Sequence, residues 1–254
     1  MLNIRKQQMK TFSQAAIDAF ENEMVAHCRS FSPRLSEVIG EEQLRVAVRQ
    51  AIGRARVHGL INRGPVRLFI EMTLLFGSAF DTDPQYPWAA EILRDPKPGF
   101  QMYRAKRLHE KTLDYLKQVA GPEDQFTCWA LERTSSLARG PMEFSSQDLV
   151  TDLLHRAVSI YPEKADYVGN EALESLFREG IDKAKSCGMV IARSQALFCI
   201  LMLSFGHGCD DDPLYPWIAR TLTDERIVDS EARAKRLEKK ALHWLDSVIS
   251  SFSK

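Results

Sequence analysis

The chain has 254 residues with 34 basic and 34 acidic side chains, so its formal net charge is zero. That length suits one large or two modest domains with a sizeable core. The balanced charge argues against a protein built to neutralise phosphates, and no apolar run approaches the roughly 20 residues that span a bilayer.

Met9, Phe12, Ala16, Phe20, Met24 and Cys28 recur three or four positions apart and predict an amphipathic first helix. Ser32-Pro33 ends it, because proline lacks an amide hydrogen and restricts the residue before it. A second helix is predicted from Glu41 to about His58, with Leu44, Val48, Ala51, Ile52 and Ala55 on one face and Gly59 as its left-handed cap. Residues 65–76 and 194–205 are the most apolar stretches of the chain. Their length and lack of a polar face predict buried helices; buried strands are the alternative that periodicity does not separate. The neighbouring segments carry no alternating pattern and no hairpin signal, which favours helix. A loop, a short helix and a long charged helix follow each stretch. The long helices carry Leu108, Leu113 and Leu116 in one case, Leu237, Leu242 and Leu245 in the other. Gly121-Pro122 and Gly140-Pro141 bracket a join, with a short helix expected over 126–137.

The sequence contains itself twice. Residues 76–88 and 205–217, offset by 129 positions, agree at eight of thirteen places, including Asp81/Asp210, Asp83/Asp212, Tyr86/Tyr215 and Trp88/Trp217. The same offset lays Arg104-Ala-Lys-Arg-Leu108 on Arg233-Ala-Lys-Arg-Leu237, and pairs Gly40 with Gly169, Gly59 with Gly188 and Phe69 with Phe198. The expected fold is therefore all-α, a tandem internal duplication packed with pseudo-two-fold symmetry. Its units are residues 1–122 and 123–254, the second including a joining segment at 123–141.

The D-x-D-P-x-Y-P-W loop has two readings. In the structural one, Asp83 and Asp212 cap a helix whose first residue is the following proline. Tyr86, Trp88, Tyr215 and Trp217 then pack that helix inward, with their polar atoms finding partners. Asp81 and Asp210 are expected to meet the basic cluster of Arg104 and Arg107, or its copy Arg233 and Arg236, since arginine grips a carboxylate bidentately. In the functional reading, Asp81, Asp83, Tyr86, Trp88, Asp210, Asp212, Tyr215 and Trp217 form an acidic-aromatic docking surface for a partner.

Catalytic constellations are not found. Cys209-Asp210-Asp211-Asp212 fails the D-D-x-x-D magnesium pattern of helical prenyl-chain synthases, because Leu214 stands fifth from Asp210 and Thr82 replaces Asp211 in the other copy. A divalent-metal-dependent enzyme or toxin using the aspartate loops is the competing class, since hard cations prefer oxygen ligands. The six histidines are scattered and none aligns with another at the repeat offset. Gly-rich phosphate loops and nucleophile elbows are lacking, so neither cofactor nor metal is expected. The basic run Arg233 to Lys240 reads as a solvated helix face rather than a nucleic-acid site. Five cysteines without a C-x-x-C pair, and a start too polar for a signal-peptide core, are read as a reducing cytoplasmic location.

Two segments carry a family resemblance: Met1-Leu-Asn-Ile-Arg-Lys-Gln-Gln-Met9, and Phe76 through Ala89 as F-G-x-x-F-D-x-D-P-x-x-P-W-A. On these the chain resembles a group of poorly characterised bacterial proteins, similar to small accessory proteins encoded beside type VI secretion effectors and spike components. The resemblance covers most of the first copy; the second departs from it at Cys209 and Ile218. It implies a secretion-linked partner and no activity. The expected role is a non-catalytic interaction protein in the cytoplasm, binding a secreted effector or its carrier as adaptor, chaperone or immunity protein.

Overall fold

The computed structural model describes residues 6–95, 101–140, 144, 148–227 and 229–252. Residues 1–5 of the family-like start, the side chains of Met9 and Phe12, and Pro141 lie outside the described residues. Among the described residues there are twelve α-helices and no strand. In chain order these are α1 (Lys6–Phe31), α2 (Pro33–Val57), α3 (Arg63–Phe76), α4 (Pro87–Arg94), α5 (Gln101–Tyr115), α6 (Gln125–Arg139), α7 (Leu149–Ile160), α8 (Pro162–Val168), α9 (Asn170–Ser186), α10 (Ala192–Phe205), α11 (Pro216–Leu222) and α12 (Ser230–Phe252). A π-helical turn, Leu116–Ala120, extends α5. None of the described helices is long and apolar enough to cross a membrane.

Proline sets several of the starts. Pro33, Pro87, Pro162 and Pro216 each occupy a first helical position, where the missing amide hydrogen costs nothing. The expected helix from Glu41 is the second part of α2, which kinks at Gly40 (φ 77°, ψ 163°). The chain makes the same break between α8 and α9 at Gly169 (φ 82°, ψ 156°).

The two apolar stretches are helices, α3 and α10, which settles the strand alternative. In α3 the buried positions include Val66, Phe69, Ile70, Thr73 and Phe76, one broad face. In α10 every residue from Ser194 to Leu203 is buried, so the helix is enclosed on all sides. It packs against α7, α9 and α12. Phe69 and Phe198 are fully buried, and truncating either to alanine would cost about 3–5 kcal/mol. A single contiguous apolar core runs from Met24 on α1 to Ala241 on α12. The chain is therefore held together across its midpoint by packing as well as by covalent connection.

Candidate functional site

The sequence singles out the two aspartate loops, and the structure brings them face to face. Gly77 ends α3 at φ 93° and ψ 160°, and Gly206 ends α10 at φ 96° and ψ 158°. These backbone angles are essentially confined to glycine. They also allow a close approach: a Cβ on Gly77 would lie 2.6 Å from the carbonyl oxygen of Phe205, and one on Gly206 would lie 2.9 Å from that of Phe76.

At this approach the repeated aspartates exchange hydrogen bonds. The His207 amide donates to Asp83 Oδ2 at 2.7 Å, and the Ser78 amide donates to Asp212 Oδ2 at 2.7 Å. The other oxygen of each accepts an amide two residues along its own loop, Gln85 N to Asp83 at 2.9 Å and Leu214 N to Asp212 at 2.8 Å. Gln85 and Leu214, Ser78 and His207, are themselves pairs at the 129-residue offset. Gln85 adds a further tie, donating from Nε2 to Asp83 Oδ2 and to the Met202 carbonyl, both at 3.1 Å.

This arrangement corrects the helix-cap expectation. α4 and α11 begin at Pro87 and Pro216, each preceded by a tyrosine that makes no side-chain cap. Asp83 and Asp212 therefore close a turn through one oxygen and clasp the opposite loop through the other. Burial pushes both carboxyls above the usual carboxylate range, against the pull of the amides they accept.

The expected contact between Asp81 and Arg104 or Arg107 is also corrected. Asp81 is instead gripped from α2, by both Arg54 Nε at 3.0 Å and the Arg54 terminal nitrogen, with His58 Nε2 at 2.6 Å. Burial is the largest single influence on Asp81 and raises it, but the His58 and Arg54 hydrogen bonds together hold the carboxyl below its ordinary value. Asp210 meets Lys183, the residue matched to Arg54, at 3.2 Å. Arg104 donates to the Leu93 carbonyl at 2.9 Å, and Arg233 to the carbonyls of Cys187 and Ile227, each at 2.7 Å. Arg107 lies 3.6 Å from Asp95, and Arg236 4.0 Å from Asp224. The basic clusters thus brace neighbouring loops, because their helices run beside those loops and not beside the first aspartate of each motif.

The docking-surface expectation is corrected on burial. Asp81, Asp83, Tyr86, Trp88, Asp212 and Tyr215 are all buried, while Asp210 and Trp217 are half-buried. Their rings serve the core: Phe76 stacks among Tyr86, Trp88 and Tyr115, and Phe205 among Tyr215, Trp217 and Trp244. The indole nitrogens of Trp88 and Trp217 are buried without a hydrogen-bond partner among the described residues, contrary to the expectation that they would find one.

The same geometry bears on metal chemistry. Both carboxylate oxygens of Asp81, Asp83 and Asp212 already accept hydrogen bonds from backbone amides, Arg54 or His58, and one oxygen of Asp210 meets Lys183. Among the described residues there is no group of three or more His, Cys, Asp or Glu side chains placed to hold a metal ion.

Sequence reasoning missed several participants. Arg54 and Lys183 left a signal, as basic residues at matched positions. Lys164 left none, since Leu35 stands at its matched position. Its ammonium is buried, donating to the Leu203 carbonyl at 2.6 Å and to the Tyr86 hydroxyl at 3.5 Å. Burial pushes it down to about 8, opposed by the charge of Asp83.

A second feature lies at the surface. The turn after α2 exposes Val57 (84%) and Ile61 (70%), and the start of α5 exposes Met102 (61%) and Tyr103 (46%). Gln101 joins the two segments, its Oε1 accepting from the amides of Ile61 and Asn62, both at 2.9 Å. Exposed Arg56, Arg63 and Lys106 belong to the same two segments. The matched turn after α9 also exposes Val190 and Ile191, but Glu231 and Ala232 stand where α5 has Met102 and Tyr103. No family model, curated protein or solved structure matches this chain.

Proposed function

We propose that the chain is a non-catalytic interaction protein built as a tandem duplication, with units at residues 1–122 and 123–254 related by a pseudo-two-fold axis. The reciprocal contacts of Asp83 with His207 and of Asp212 with Ser78 support the duplication and its symmetry. A contact that recurs with its roles exchanged is the signature of a two-fold interface. The buried aspartate loops then serve as the clasp between units rather than as the partner surface.

The observation that carries the interaction reading is the apolar end formed by Val57, Ile61, Met102 and Tyr103. Clustered apolar exposure beside charged residues costs solubility and is kept where another molecule covers it. The family resemblance supplies the partner class, a secreted bacterial effector or its carrier, with the chain acting in the cytoplasm as adaptor, chaperone or immunity protein.

The test is affinity capture with the tagged chain from the bacterium that encodes it, followed by reconstitution with the purified partner. The reading expects an effector or spike component at near-equal stoichiometry, lost when Ile61 and Met102 are both replaced by aspartate. Capture of that partner undiminished by the double substitution would remove the apolar end as the site. Recovery of no secretion component at all would remove the partner class.

A further inference from the structure

A separate cleft of about 450 Å³ opens between the start of α6 and the end of α12. Gln125, Cys128, Trp129 and Glu132 line it from α6, a spacing that places all four on one helix face. Ile249 closes it from α12, and Glu123 stands at its mouth. Trp129 is 39% exposed and is held in place by Phe126, whose ring lies 5.7 Å away at a tilt of 38°. α6 sits in the joining segment, outside the elements that the 129-residue offset superposes.

The electrostatics of the cleft have one dominant sign. Glu123 and Glu132 line it, and neither has an ionic partner among the described residues. Asp124 lies next to Glu123 in the chain, and both residues adopt left-handed backbone (φ 61° and 52°). The field is felt by the Cys128 thiol: burial raises it first, the charges of Asp124 and Glu132 raise it further, and Arg34 acts in the opposite sense. An exposed indole between unpaired carboxylates is suited to a planar cation. The ring face attracts positive charge, while the carboxylates accept the guanidinium hydrogens.

We propose that this cleft binds an arginine side chain of a partner peptide, stacked on Trp129 between Glu123 and Glu132. The site is independent of the apolar end at Val57 and Met102, so either proposal stands if the other fails. Arginine fits better than lysine because its flat, weakly hydrated group stacks and forks at once.

The experiment follows the Trp129 indole N–H resonance of the full chain during titration with the peptide Gly-Arg-Arg-Gly, with tetraglycine as control. The expected result is a saturable shift with the arginine peptide alone, weakening at high salt. The isosteric pair Glu123→Gln with Glu132→Gln, both exposed and outside the core, is expected to lower affinity about tenfold without moving the unfolding midpoint. Trp129→Phe retains a ring and is expected to weaken binding less than Trp129→Ala. A Trp129 resonance unmoved at millimolar peptide, an equal shift with tetraglycine, or unchanged affinity in the glutamine pair would each overturn the proposal.

Discussion

The loops at 77–88 and 206–217 follow the same path and are guarded differently. Gly77 and Gly206 share one unusual backbone state, and Asp83 and Asp212 make the same pair of amide contacts. Beside them, Asp81 is buried under the two-pronged grip of Arg54 and a bond from His58, whereas Asp210 is half-buried and meets a single lysine. Position 78 is a buried serine, but position 207 is a histidine that reaches outward to Glu179 at 3.1 Å and to Thr82 at 3.0 Å. The contacts of Asp83 and Asp212 with the opposite loop match, whereas the Thr82–His207 bond joins the two loops through unmatched side chains. The groups that differ, Arg54 and His58 against Lys183 and Ser78 against His207, surround that shared pair.

The largest test of this division is steric. Gly77→Ala and Gly206→Ala should each cost about 3–5 kcal/mol, or prevent folding, since a Cβ meets a backbone carbonyl in a glycine-only conformation. Denaturant unfolding measures it, and a loss at one glycine alone would break the equivalence. The guards should then respond unequally. Asp81→Asn is expected to cost about 2–3 kcal/mol by weakening the hydrogen bonds of a buried carboxylate to half-buried Arg54 and His58, and Asp210→Asn under about 1 kcal/mol.

A third test exploits Lys164, a buried cation without a matched counterpart. Lys164 has its folded value depressed to about 8 from an ordinary 10.5. A depressed group contributes stability that is present above the unfolded value and lost as pH falls through the folded one. Lys164 therefore favours the fold at high pH, and that contribution disappears between about 10.5 and 8. Replacing it with leucine, the residue at matched position 35, should be more favourable at pH ~7 than at pH ~10 by on the order of 2 kcal/mol. Unfolding of both proteins at the two pH values cancels the other titrating groups. A pH-independent difference would remove Lys164 as a buried cation.

Much of the fold was legible in the sequence because helical period, proline placement and the repeated stretches all point the same way. Residues 65–76 and 194–205 became α3 and α10 with boundaries shifted by two residues at the start. The aspartate partners were less legible. Asp81 and Arg104 recur together, yet co-recurrence shows that both matter and not that they touch. Arg54 lay unremarked on α2 although Lys183 marked its counterpart. The exchange between Asp83 and the His207 amide was unreadable, because a backbone donor carries no side-chain signature. The burial of Trp88 was likewise open, since an indole beside charges suits either a core or an interface.

A smaller effect than at Asp81 belongs to the clasp itself. Asp83→Asn and Asp212→Asn should each cost about 1–2 kcal/mol and do so equally, since an amide nitrogen would replace one accepting oxygen while the buried charge is relieved. Hydrogen exchange at the Ser78 and His207 amides tests the account most directly. Both should be protected in the unaltered chain. Asp83→Asn should release His207 and spare Ser78, and Asp212→Asn should release Ser78 and spare His207. If each substitution instead loosens only its own loop, the two loops do not clasp one another and the reciprocal interface is wrong.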